Sequence, residues 1–286
     1  MALLEGILTL AVPMGLRVVQ FYALEDSGAY TLFDAGLPGS VQSKIASGEI
    51  PGPVTRAIIS HADADHLGDA ASLTGAEILC HALDREWIED HDRLVSDRYG
   101  PFYAPDVLPA LRQACGPDFA VARTVADEEV LHIGKHKWRV LHVPGHTHGH
   151  IALFRETDGV LLIGDAVLGL AIPAADGTPS MPPTHCYIAE YLATIRRFAE
   201  LPVSLALSGH WPALDPAQFQ QLLTDSRTCV ERDLELLAGA SEPLSAMDCV
   251  RLICGRYRSW PEAEDIHYQF PVSGYLEYRK PAGVHA

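Results

Sequence analysis

Four short polar loops in this chain each follow an apolar run, and between them they gather an unusual density of histidine and aspartate. "RAII" leads into "SHADADH" (Ser60–His66), "WRVLHV" into "PGHTHGH" (Pro144–His150), "GVLLI" into "GDA" (Gly164–Ala166) and "VSLAL" into "SGHWP" (Ser208–Pro212). Apolar, β-branched runs of this length read as buried strands. Strand ends can converge at one edge of a sheet, and rigid strands hold ligand atoms to the tolerance that a metal demands. Imidazole with carboxylate suits zinc, iron or manganese, and several carboxylates together allow two ions with an oxygen donor between them. Two such ions lower the pKa of a shared water and supply hydroxide near neutral pH.

The rest of the pattern agrees with a layered α/β body. Leu3–Val12, Leu16–Ala23 and Tyr30–Phe33 read as successive strands ending in the turn "FDAGLPGS". Val54–Ser60 and Ala76–Cys80 are two more. From about residue 82 to 120 the chain turns polar, aromatic and proline-punctuated, which predicts a mainly helical excursion. Strands resume at Lys137–Val143, Ile151–Arg155, Val160–Ile163 and Val203–Leu207, with a helix over Ile188–Glu200. An amphipathic helix is expected over Pro216–Gly239 and a second over Leu244–Tyr257, followed by an aromatic tail that packs back on the body. Two strand-rich blocks interleaved with helices point to an α/β (α+β layered) domain over residues 1–215, with a helical C-terminal extension over 216–286.

Composition narrows the partners. With 286 residues the chain has ample material for a buried core, and a formal net charge of −16 repels phosphate backbones, so no nucleic-acid partner is expected. The opening "MALLEGILTLAVPMGL" holds Glu5 and lacks a basic start, so it reads as a strand, with no membrane partner. Cys80, Cys115, Cys186, Cys229, Cys249 and Cys254 are scattered with no C-x-x-C pair, which predicts free, buried thiols and a cytoplasmic protein.

The order of the four loops resembles the metallo-β-lactamase superfamily, whose signature is H-x-H-x-D-H followed by a single His, an Asp and a last His. The likeness runs from about Leu3 to Pro212, and "FDAG" at Phe33–Gly36 resembles the family's early strand and turn. It implies an αββα sandwich, two sheets face to face with helices outside. It also implies that His61 and His146 hold a first metal with position 63 as third ligand. Asp65, His66 and His210 would hold a second, and Asp165 would bridge the two. Here position 63 is Asp where most hydrolases of the family carry His. A carboxylate is harder and anionic, and shifts preference toward iron or manganese.

The resemblance implies a metal-dependent hydrolase. A metal-bound hydroxide, with zinc as the expected metal and two ions per chain, would attack an ester, lactone, thioester or amide of a small molecule. Asp65 would be ligand and proton acceptor at once. Two other readings stay open: an iron-dependent redox or oxygen-handling enzyme, and a non-catalytic metal-stabilised binding protein. The extension is expected to shape the pocket or a dimer interface, so a homodimer is among the expected states.

Further residues have two readings each. Asp34 either accepts a hydrogen bond from a ligand histidine or caps a turn. His148 and His150 share the loop of His146, His148 as a candidate for the cleft and His150 as support behind a ligand. His185, beside Cys186, lies in a proline-rich stretch that could line the cleft, with a structural role favoured over a Cys–His pair. Trp87, Tyr99, Phe102 and Tyr103 either wall the metals or simply pack the excursion.

Overall fold

A computed structural model describes residues 5–100, 105–239, 245–254 and 269–278. The opening strands form an antiparallel meander: β1 (Ile7–Met14), β2 (Arg17–Asp26) and β3 (Ala29–Phe33). Three parallel strands extend it, β4 (Val54–Ile58), β5 (Glu77–His81) and β6 (Arg123–Val125), giving a six-stranded sheet in sequential order. The second sheet comprises β7 (Val130–Ile133), β8 (His136–His142), β9 (Ile151–Arg155), β10 (Val160–Gly164) and β13 (Leu205–Ser208). Its strands run antiparallel except β13, which lies parallel to β10 at the edge. A small hairpin of β11 (Ile172–Pro173) and β12 (Pro179–Met181) stands apart.

Period-2 alternation sorts these strands into three packed layers. Tyr22 and Leu24 of β2, Trp138 and Val140 of β8, Ile151 and Leu153 of β9, and Val160 and Leu162 of β10 meet between the sheets. The intervening Phe21 and Ala23 face the helices outside the first sheet. Ala152, Phe154, Leu161 and Ile163 face those outside the second. Both faces of β9 and β10 are buried at every position, which is why they read as unbroken apolar runs.

Helices α1 (Ser40–Ala46), α2 (Ala64–Leu67), α3 (Arg85–Glu89), α4 (His91–Leu94) and α5 (Leu108–Ala114) belong to the first half. A single π-helical turn, Val95–Tyr99, continues α4. Outside the second sheet lie α6 (Ile188–Ala199), α7 (Pro216–Ala238), α8 (Ala246–Cys254) and α9 (Gln269–Tyr278). Asp215 starts α7 with a capping box, its carboxylate accepting from Gln218 N while the Gln218 side chain accepts from Asp215 N. The expected helix over Leu244–Tyr257 is described only as α8, and its last residues lie outside the described ones. The aromatic tail does pack back where it is described. The Tyr275 hydroxyl of α9 accepts from His185 Nε2 and donates to Asp233 Oδ2 of α7 at 2.9 Å. Among the described residues no helix is long and apolar enough to cross a membrane.

The two sheets share one functional rim. β3, β4, β8, β10 and β13 all end there, and the residues after them are Asp34, the Ser60–His66 loop, the Pro144–His150 loop, Asp165 and His210.

Five cysteines, Cys80, Cys115, Cys186, Cys229 and Cys249, are buried. Burial pushes the thiols of Cys80, Cys115 and Cys186 up to about 12. Because the thiolate is the reactive form, these three should resist a thiol reagent such as dithiobis-nitrobenzoate in native protein and react once guanidinium unfolds it. Rapid native labelling of any of them, read by peptide mass spectrometry, would contradict this packing.

Candidate metal centre

Four imidazoles are turned the same way by hydrogen bonds behind them. His66 Nδ1 meets Asp34 Oδ2 at 2.9 Å, His146 Nδ1 meets the Thr184 carbonyl at 2.5 Å, and His210 Nδ1 meets the Val18 carbonyl at 3.0 Å. His61 Nδ1 lies 2.8 Å from Ser60 Oγ, and that hydroxyl gives its single proton to Asp34 Oδ2 at 2.9 Å. The His61 ring must therefore donate from Nδ1. All four rings thus commit Nδ1 to an outer partner and turn Nε2 inward, the arrangement by which an outer acceptor orients a ligating histidine.

Asp34 organises this corner. It is 1% exposed, sits at φ +67°, and accepts from Ser60 N at 2.7 Å as well as from Ser60 Oγ and His66 Nδ1. The left-handed backbone turns its carboxylate back under the loop, a conformation that Asp tolerates better than most residues.

The inward atoms gather in three overlapping groups: His61 with His66 and Asp165, His61 with Asp63 and His146, and Asp65 with His66 and His210. Within each group the candidate ligand atoms lie within 4.8 Å of one another. His210 Nε2 is 3.1 Å from Asp165 Oδ2 and 3.5 Å from Asp65 Oδ2, and His66 Nε2 is 3.5 Å from Asp165 Oδ1. His61 Nε2, His66 Nε2 and Asp165 Oδ1 are buried without a hydrogen-bond partner. Buried polar atoms of this kind are rare unless something completes them, and a cation does so for two imidazole lone pairs and a carboxylate oxygen. The donor set fits a metal. Glycine at 209 is a condition of this packing, because a methyl group there would press on Asp165 Oδ1 and the His66 ring.

The electrostatics follow from burial and neighbours. Burial pushes His61 down to about 3, with the adjacent His66 adding to the effect. At His66 burial also opposes the charge, but Asp165, Asp65 and Asp34 outweigh it and hold the imidazole well above its ordinary value. Asp165 is buried too, yet His210 and His66 keep its carboxyl well below the usual carboxylate range. At Asp63 the Arg98 guanidinium overcomes burial in the same direction.

Asp63 has its Oδ2 2.7 Å from His146 Nε2 and 3.6 Å from His61 Nε2. It is also bound from behind by Arg98 and Tyr99. His150 is buried beside the cluster, stacked on His61 at 4.6 Å, and its Nε2 accepts from Asp165 N at 3.1 Å. His148 is exposed and stacks on Tyr187 at 3.6 Å, so the expectation that it faces the cleft is corrected by its position outside the cavity lining. His185 is turned toward Tyr275 and Tyr191, while Cys186 Sγ is directed to the Thr184 carbonyl, so neither the pairing nor a place in the cleft is seen. Tyr99 lines the cavity, Trp87 packs in the excursion, and Phe102 and Tyr103 lie outside the described residues.

Three contributors escaped the sequence: Ser60, Arg98 and Asp84. Asp84 is fully buried, and it accepts from Ala62 N at 3.1 Å, Thr147 Oγ1 at 2.6 Å and Gly149 N at 2.7 Å. It thereby ties the His61 loop to the His146 loop. Its one signal was an acidic residue shortly after a strand, β5, at the same rim.

A cavity of about 290 Å³ opens onto the cluster. Asp63, Asp65, His146, Asp165 and His210 form its polar floor, and Leu37, Leu111, Ile172 and Met181 are among its apolar walls.

The sequence pattern of the metallo-beta-lactamase superfamily matches residues 14–210, most of the chain, and runs through the first three loops to His210 in the fourth. The protein belongs to the metallo-beta-lactamase superfamily. It is a hydrolase of that fold. A probable metallo-hydrolase of Bacillus subtilis (YqjP) is 25% identical over 257 residues, 80% of this chain and 78% of its own. A hydroxyacylglutathione hydrolase of Methylococcus capsulatus is 28% identical over 169 residues, 54% of this chain and 53% of its own. Among solved structures, a metallo-beta-lactamase family protein of Thermus thermophilus superposes with a TM-score of 0.73 at 22% identity, covering 97% of this chain and 94% of that one. A beta-lactamase domain protein of Burkholderia ambifaria gives 0.76 at 19% identity, covering 97% and 88%. At these identities the superpositions show the fold, the αββα sandwich, and not the substrate.

The Asp84 tie gives a test of how the rim is assembled. Asp84→Ala strands the Ala62 and Gly149 amides and the Thr147 hydroxyl, and should lower stability by about 3 kcal/mol. Denaturant melts would measure this, and metal retention through gel filtration should fall with it. A change below about 0.5 kcal/mol, the range of ordinary surface substitutions, would mean that the loops hold without it.

Proposed function

We propose that this hydrolase cleaves an ester, lactone, thioester or amide bond of a small molecule, with two zinc ions held at the strand-end cluster. We assign His61, Asp63 and His146 to one ion, Asp65, His66 and His210 to the other, and Asp165 to both. The observation that carries the reading is the set of buried atoms without a hydrogen-bond partner, His61 Nε2, His66 Nε2 and Asp165 Oδ1, with Asp165 also lining the cavity beside Asp63, Asp65, His146 and His210. Ions bound there lower the pKa of a shared water and supply hydroxide near neutral pH.

The chain's own groups do the rest. Asp65 is partly exposed to the cavity, with its carboxylate 3.5 Å from His210 Nε2, placed to take a proton and return it to a leaving group. The apolar walls hold the organic part of the substrate and keep bulk water away from the acyl carbon. Relatives named for hydrolysis of hydroxyacylglutathione favour acyl transfer to water over redox chemistry. We further take residues 1–215 as the metal-binding domain with 216–286 as an extension packed on it, cytoplasmic, with a homodimer as the state to look for.

Metal analysis of protein from unsupplemented medium should find zinc. Removal with a chelator should abolish turnover of a panel of esters, lactones and thioesters, and zinc should restore it. Asp65→Asn should lower kcat by about 10²–10⁴-fold, the usual worth of a positioned proton acceptor, beyond any effect on zinc content. Near-stoichiometric iron with oxygen consumption would overturn the proposal.

A further inference from the structure

The two halves of the cluster differ in what stands behind their carboxylates. Asp63 Oδ1 accepts from Arg98 Nε at 2.7 Å and from the Tyr99 hydroxyl at 2.7 Å, and Oδ2 accepts from Arg98 Nη2 at 3.0 Å. This is a two-pronged pair, the fork geometry that binds a carboxylate most firmly. Arg98 is 2% exposed, so water does little to screen its charge. It also reaches the His146 carbonyl at 3.4 Å, which fastens it to the loop of a second candidate ligand. Arg98 and Tyr99 are consecutive residues of the π-helical turn, in which Gly100 N bonds Val95 O at 2.7 Å. The wider turn lets both side chains reach one carboxylate, and such turns recur at functional sites.

Across the cluster the balance is reversed. Among the described residues, Asp65 and Asp165 form ion pairs only with the imidazoles of His66 and His210. Two carboxylates there face the incoming ion with no guanidinium or ammonium paired to them. Apart from the shared Asp165, the other half offers one carboxylate, already neutralised by Arg98. Asp63 Oδ1 is taken up by Arg98 and Tyr99, and Oδ2, which also accepts from Arg98 Nη2, is the oxygen turned toward His61 and His146.

We propose that Arg98, with Tyr99, imposes an order on metal loading. The ion at Asp65, His66, His210 and Asp165 binds first and tightly. The ion at His61, Asp63 and His146 binds second and more weakly, because Arg98 cancels the charge of Asp63, the one carboxylate this ion does not share, and fixes it as a single-oxygen donor. This rests on the ligand assignment proposed above and adds to it a residue that touches no metal.

The test is zinc titration of the chelator-stripped full chain, followed by calorimetry and native mass spectrometry. Wild type should show two dissociation constants at least about tenfold apart. A unit charge about 6 Å from a divalent ion is worth roughly that factor even at the dielectric of water. Arg98→Met should tighten the second constant about tenfold and leave the first unchanged, whereas Arg98→Lys, which keeps the charge, should leave the second ion weak. If Arg98→Met fails to fold, the double variant Asp63→His with Arg98→Met removes both buried charges together and should bind its second ion nearly as tightly as its first. Equal constants in wild type, or a second constant that does not tighten in either uncharged variant, would overturn the proposal. Asp65→Asn and His210→Ala separate this failure from that of the assignment, since each should weaken the tight ion. If both leave the two constants unchanged, the ligand assignment itself fails and the loading order falls with it.

Discussion

The buried carboxylate of Asp34 is the interaction on which the rim depends. It holds His66 directly and His61 through Ser60, so one side chain fixes the tautomer of two imidazoles from different sides of the same loop. A carboxylate taken out of water is strongly disfavoured unless hydrogen bonds replace its solvation. Here a backbone amide, a hydroxyl and an imidazole do so, each within 2.9 Å. The φ of +67° at Asp34 brings them within reach, and a larger or β-branched residue would resist that backbone as well as lack the oxygens. Asp84 repeats the device between the first and second loops, with three donors on one buried carboxylate.

Much of this was legible in the sequence because the ligand loops are short and the strands before them are buried on both faces. A continuous apolar run such as Val160–Ile163, followed at once by a polar Gly-Asp, reads as a doubly covered strand that stops at a rim. The order of the loops then aligned with a known family, and His61, Asp63, Asp65, His66, His146, Asp165 and His210 fall in three overlapping groups at the rim. Strand β7, Val130–Ile133, was missed because two of its four side chains are exposed and its run is brief. Asp84 and Arg98 were missed for a different reason. Their partners lie 22 to 65 residues away for Asp84, and 35 and 48 for Arg98, separations at which no local pattern survives. For His148 and His185, proximity in sequence to His146 or to a proline-rich loop gave no information about the direction of the ring.

The Arg98–Asp63 pair is the feature of the site that stability explains least. Replacing a buried ion pair by apolar residues of similar volume is often neutral or stabilising by about 1–4 kcal/mol, so stability alone gives no reason to keep one. A histidine at position 63 would offer a ligand nitrogen without needing a guanidinium behind it. The pair instead places a permanent positive charge at the base of the cavity, next to a carboxylate that still turns one oxygen inward. Its effect is to make the two halves of the cluster unlike in charge while leaving them alike in shape. A symmetric site would treat its two ions as equals. In the site proposed above they would differ, and the difference traces to the π-helical turn that carries Arg98 and Tyr99.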